Sequence, residues 1–194
     1  MAHQDIEGPW VLDTRELVRR PGTMRSVTTV VKAPEPIGTD VIAIAADHPV
    51  ELEVRMESVV EGVLASGSVQ AVATGVCVRC LEPIDVDVDV TFQELFAYPD
   101  RAAHHQSVGA DEEQEADHRL DQDLMDLEEL VRDAVVTTLP FRPVCRDDCP
   151  GLCSECGAHL ADDPDHQHDV TDPRWAALAA HVRAGGGTDD EKRT

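Results

Sequence analysis

With 194 residues, the chain can form one ordinary core plus a small appendage. Its formal charge of −23, from 39 acidic against 16 basic residues, disfavours a broad electrostatic grip on phosphate backbones or anionic membranes and suits a basic protein partner better. No stretch of about 18 apolar residues occurs, and the opening MAHQDIEGPW has neither the basic nor the apolar segment of a signal peptide, so the expected location is the cytoplasm.

Residues 13–20 predict a short helix, with Asp13 as cap, Glu16 three positions later and Pro21-Gly22 as the stop. The β-branched run 24–33 predicts a strand, followed by a turn-rich piece at 34–38. From 50 to 58, Val50, Leu52, Val54 and Met56 alternate with Glu51, Glu53, Arg55 and Glu57, the pattern of a strand with one dry face. The same period recurs from Ile84 to Phe92, which makes Asp85, Asp87 and Asp89 the wet side of a strand rather than calcium ligands. Between the two, 61–65 and 68–78 are expected to form a hairpin about Ser66-Gly67, giving four or five antiparallel strands.

Beyond Tyr98-Pro99 the composition turns acidic: between Asp111 and Glu129, ten acidic residues face Arg119 alone. Residues 100–120 therefore read as a solvated linker. Leu127, Leu130, Val131, Ala134, Val135 and Thr138 recur at helical spacing behind Asp126, and Pro140 ends that helix. A last helix is expected from Pro173 to about Ala184, with Asp172 as cap and Trp175 as its anchor, before a disordered tail, 185–194. This gives a mainly β region at 1–99, the linker, a helical segment at 121–140 that completes the main domain, and a cysteine-bearing extension at 141–184.

The chemistry lies in CRDDCPGLCSECG, where Cys145, Cys149, Cys153 and Cys156 are spaced C-x3-C-x3-C-x2-C. In a reducing compartment such cysteines are ligands more readily than disulfides, and the LCxxCG half matches a zinc knuckle whose Gly157 permits the tight turn. The expectation is a structural Zn2+ held by these four thiolates. His166 and His168 are the alternative ligands, leaving Cys145 and Cys149 spare. A second pair, Cys77-x2-Cys80, fits half a metal site, a redox pair or packed thiols, and spacing alone does not decide among them. No phosphate loop, HExxH, GxSxG or deaminase signature is present.

The segments CVRCLEPIDVDVDVTFQELF, DLEELVRDAVVTTLPFRPVC, CRDDCPGLCSECG and DPRWAALA together resemble the YceD family of large ribosomal RNA subunit accumulation proteins. The resemblance implies a non-enzymatic role in 23S rRNA accumulation and large-subunit assembly. It implies as partner a large-subunit precursor, met through a ribosomal protein or the 23S rRNA. Its motif falls on Cys77, Arg79, Cys80 and Leu81, then Phe92, Glu94, Leu95 and Phe96. The expected fold is α+β, an antiparallel, partly curled sheet packed by the 127–139 helix with a zinc-clipped extension. Three mechanisms stay open: capture of a basic ribosomal protein by the acidic segment Asp111–Asp117, RNA contact by Arg15, Arg19, Arg20 and Arg25, or thiol chemistry at Cys77 and Cys80.

Overall fold

Residues 8–99, 118–168, 173–175 and 178 are described by the computed structural model. The chain divides into two units, Met1–Cys149 and Pro150–Thr194. In the first, the alternation at Val50 to Met56 sets the architecture. Those four apolar side chains are buried, while Glu51, Glu53 and Arg55 are exposed. They lie on β5 (Pro49–Ser58), which pairs antiparallel with β2 (Met24–Lys32) on one side and β6 (Gly62–Val76) on the other. β6 is the spine of the sheet. One of its edges takes β5 along Val63–Gln70 and then β4 (Ile42–Ile44) at Thr74 and Gly75, with β3 (Ile37–Gly38) beyond; its other edge pairs with β7 (Pro83–Ala97) over the full length.

Ser66 and Gly67 therefore form no turn: they sit mid-strand, opposite Arg55 and Val54 on β5 and Gln93 and Phe92 on β7. The glycine has a packing reason. A Cβ there would meet the Glu53 carbonyl oxygen at 2.2 Å and Phe92 Cζ at 2.7 Å, so the missing side chain is what lets the Phe92 ring lie across β6.

Leu127, Val131, Val135 and Leu139, on and around α1 (Glu128–Thr138), are buried with Phe92, Phe96 and the inward face of the sheet. The helix packs on both β7 and β3, strands separated by β6 and β4, which requires the sheet to curl around it. The N-cap falls on Leu127 rather than on Asp126, the expected cap, whose Oδ1 accepts the Glu128 amide at 2.9 Å from one position earlier. The α+β, curled antiparallel architecture is thus the one observed.

At the N-terminus the expected helix contracts to a single 3-10 turn, Arg15–Leu17. Val11–Asp13 is instead a strand, β1, paired with β8 (Leu124–Asp126). The Asp13 carboxylate is engaged locally by the Arg15 amide and guanidinium, and Val18 and Arg19 at φ 47° and 48° end the turn. The close of the expected linker is also ordered: Ala97 N donates to His118 O and Leu120 N to Ala97 O, so residues 118–120 run beside the end of β7. The acidic segment 111–117, the tail, and most of the expected helix 173–184 lie outside the described residues. Of that helix, Pro173–Trp175 form a 3-10 turn, in which Trp175 is 60% exposed rather than an anchor. No helix among the described residues is long and apolar enough to cross a membrane.

Candidate metal centres

The long β6–β7 pairing leaves six residues, 77–82, to reverse the chain between Val76 and Pro83, and the Cys77-x2-Cys80 pair is that reversal. Cys77 N donates to Glu82 O at 2.8 Å and Leu81 N to Cys77 O at 2.9 Å, closing a tight loop that turns both sulfurs to one side. Leu81 takes φ 63°, a left-handed conformation that normally belongs to glycine, with its side chain 62% exposed.

The segment after α1 is brought to this hairpin end by backbone and arginine contacts. Val78 N donates to Pro143 O at 2.9 Å, and Arg79 Nη1 donates to the carbonyls of Asp147 at 3.1 Å and Cys149 at 2.9 Å. Those bonds set Cys145 and Cys149 against the pair. Cys77 and Cys149 sulfurs lie 3.9 Å apart, and Cys80 and Cys145 sulfurs 3.7 Å apart. With zinc–sulfur bonds of about 2.3 Å, the edge of a regular tetrahedron is about 3.8 Å, so the spacing is that of four thiolates around one ion. All six cysteines are free thiols.

The thiols are polarised unequally. Burial pushes Cys77 up, but backbone amides of Cys145, Cys80 and Arg79 outweigh it and bring the group down to about 6. Cys145 is pushed up to about 12, chiefly by the neighbouring Cys149 thiol and then by burial. In Cys80 the Glu82 amide pulls down, but burial and the Cys77 and Cys149 thiols raise it on balance. A divalent cation at the centre would favour the thiolate form of all four.

The second unit holds a separate group. Cys153 and Cys156 meet His166 and His168, with Cys156 Sγ 3.2 Å from each Nε2 and the two Nε2 atoms 2.8 Å apart. Amides of Glu155 and Cys156 lower Cys153 to about 6 against the effect of burial. Asp163 Oδ2 lies 3.9 Å from His166 Nδ1, on the side of the ring away from the Nε2 that meets Cys156. Each of the two groups could hold a metal ion.

Cys145, Cys149, Cys153 and Cys156 are therefore not gathered about one point, as their spacing led us to expect. The structure gives the first two to Cys77 and Cys80 and the last two to His166 and His168. The reason is long-range: Arg79 and the Val78 amide hold the 143–149 strip to the β6–β7 turn, 65 or more residues away in sequence. The other motif residues divide between roles. Phe92 and Phe96 are core; Glu94 Oε1 accepts the Leu95 amide at 3.1 Å.

Residues 65–180 match the family described as large ribosomal RNA subunit accumulation protein YceD. The chain belongs to this family. Among curated proteins it is 45% identical over 177 residues to an uncharacterised protein of Mycobacterium tuberculosis strain H37Rv, covering 91% of this chain and 83% of that one. An uncharacterised protein of Mycobacterium leprae is 43% identical over 170 residues, covering 88% and 76%. No solved structure matches. YceD membership attaches the chain to accumulation of the large ribosomal RNA subunit, and the residues matched run from near the start of β6 through both cysteine-bearing groups.

Proposed function

We propose that this YceD-family chain is a non-enzymatic cytoplasmic factor promoting 23S rRNA accumulation and large-subunit assembly, acting through a basic ribosomal protein of the precursor. Family membership carries the reading. The charge distribution favours protein over RNA as the direct contact. The outward face of the sheet carries Glu51, Glu53 and Glu57 on β5 and Asp85, Asp87 and Asp89 on β7, with Arg55 itself 3.5 Å from Glu57. Three of the arginines expected to grip RNA are already paired: Arg15 with Asp13 at 2.8 Å, Arg19 with Asp123 at 3.4 Å and Arg25 with Glu16 at 3.3 Å. Zn2+ is the ion these sulfur-rich groups would take, in a structural role. Four protein ligands leave no open coordination position for substrate or activated water, which supports a non-enzymatic reading of Cys77 and Cys80.

Leu81 is the candidate contact residue. Folding alone would place glycine at φ 63°, and a leucine 62% exposed there gains little burial. Affinity purification of the tagged full chain is expected to enrich large-subunit proteins with 23S rRNA, the proteins persisting after ribonuclease treatment. Leu81→Gly should keep or raise stability, by about 1 kcal/mol, yet weaken that recovery severalfold. An eluate without large-subunit proteins would end the reading.

A further inference from the structure

We propose that the chain binds two metal ions by different ligand chemistry. One Zn2+ is held by the four thiolates of Cys77, Cys80, Cys145 and Cys149, and a second by the two thiolates and two imidazoles of Cys153, Cys156, His166 and His168. The proposal takes the identity of the ion from the zinc reading above and is independent of the ribosomal one.

One piece of backbone occurs twice in the chain. The two C-x2-C turns share no neighbouring sequence, yet they make the same bonds. In each, the first cysteine's amide donates to the carbonyl five residues on, Cys77 to Glu82 and Cys153 to Ala158, both at 2.8 Å. In each, the residue after the second cysteine donates back to the first cysteine's carbonyl, Leu81 to Cys77 and Gly157 to Cys153, both at 2.9 Å. That residue takes positive φ in both, 63° and 72°. In the second turn the Glu155 amide also donates to the Cys153 sulfur, at 3.5 Å. This is the backbone of a zinc knuckle twice over.

A knuckle supplies half of a tetrahedral set, so two knuckles in one chain would ordinarily be read as the two halves of one site. Here each already has its own complement: the ligand atoms of each group of four lie within 4.8 Å of one another, and each group is complete at four. The first set ties residues 65 and more apart in sequence; the second closes within residues 153–168. The first set is the drier, with Cys77, Cys80 and Cys149 buried, whereas Cys156 and His168 are exposed. A chelator therefore reaches the second ion first. In the second group, zinc–nitrogen bonds of about 2.0–2.1 Å give a nitrogen–nitrogen edge of about 3.3 Å, so the His166 and His168 rings need only part by a few tenths of an ångström from 2.8 Å.

Elemental analysis and native mass spectrometry of the purified full chain should give two zinc ions per chain, released in two phases by a chelator. His166→Ala with His168→Ala should retain one ion and lose the fast phase. Cys145→Ser with Cys149→Ser should retain one ion and lose the slow phase. If the latter variant does not fold, the histidine variant decides, since its ligands belong to the other unit. Cobalt substitution adds a signature: the histidine variant should keep intense sulfur-to-cobalt absorption of a four-thiolate site. One ion in the parent chain, or loss of both from the histidine variant, would overturn the two-site assignment. No ion at all would overturn the zinc reading with it and leave the ribosomal reading standing.

Discussion

Exchange of Cys77 and Cys80 together for serine is expected to lower the melting temperature of the 1–149 unit by roughly 10 °C or more, as loss of a structural metal does. These thiols do more than fill a turn. They end the β6–β7 hairpin, the longest pairing of the sheet, and face Cys145 and Cys149 on the strip that leaves α1 through Pro143. Without an ion at that point, the buried sulfurs of Cys77, Cys80 and Cys149 face one another untied, and the Arg79 bonds, the Val78–Pro143 bond and the buried Pro143 are left to hold the strip down. Thermal unfolding followed by circular dichroism reads the sheet directly. An unchanged melting temperature would mean that the apolar core alone holds the hairpin end, and the metal tie would lose its structural role.

Gly67→Val is expected to cost at least about 3 kcal/mol, at the upper end of what overpacking does. Its Cβ would fall 2.2 Å from the Glu53 carbonyl oxygen, which cannot rotate away, and 2.7 Å from Phe92 Cζ, a buried ring with core on its far side. Relief on one edge of β6 worsens the other, because β5 and β7 flank this residue at Val54 and Phe92. Urea unfolding should show the midpoint lowered. A midpoint within experimental error of the parent's would mean that β6 can shift locally, contrary to the pairing described.

That glycine also marks what the sequence could convey. Strict period-two patterns at 50–56 and 84–92 were legible because each strand has one dry and one wet face, and the helix because Asp126, the apolar stripe and Pro140 agree. Ser66-Gly67 carries the composition of a turn, and only the Phe92 ring lying across it explains a glycine mid-strand. The pairing of β1 with β8 was hidden for a similar reason: Asp13 and Glu16 satisfy a capping pattern, while β1's partner lies more than a hundred residues on. The ligand residues were each recognisable by type, and Gly157 signalled the second turn. The grouping of Cys153 and Cys156 with His166 and His168 was legible as an alternative, whereas that of Cys145 and Cys149 with Cys77 and Cys80 was left undecided, because it depends on Arg79 reaching two carbonyls far along the chain, and an arginine in CVRCLEP announces nothing of the kind.

A net −23 favours a basic partner, and the sheet adds a surface on which six carboxylates are displayed on two strands of one face. The pairing of Arg15, Arg19 and Arg25 with carboxylates was not visible beforehand and weakens the RNA-gripping patch.

The most direct measurement of the central claim is the ratio of 23S to 16S rRNA in cells depleted of this chain. The account predicts a fall in that ratio, with a deficit of large subunits on a density gradient, restored by the intact chain. An unchanged ratio and a normal gradient under full depletion would contradict it.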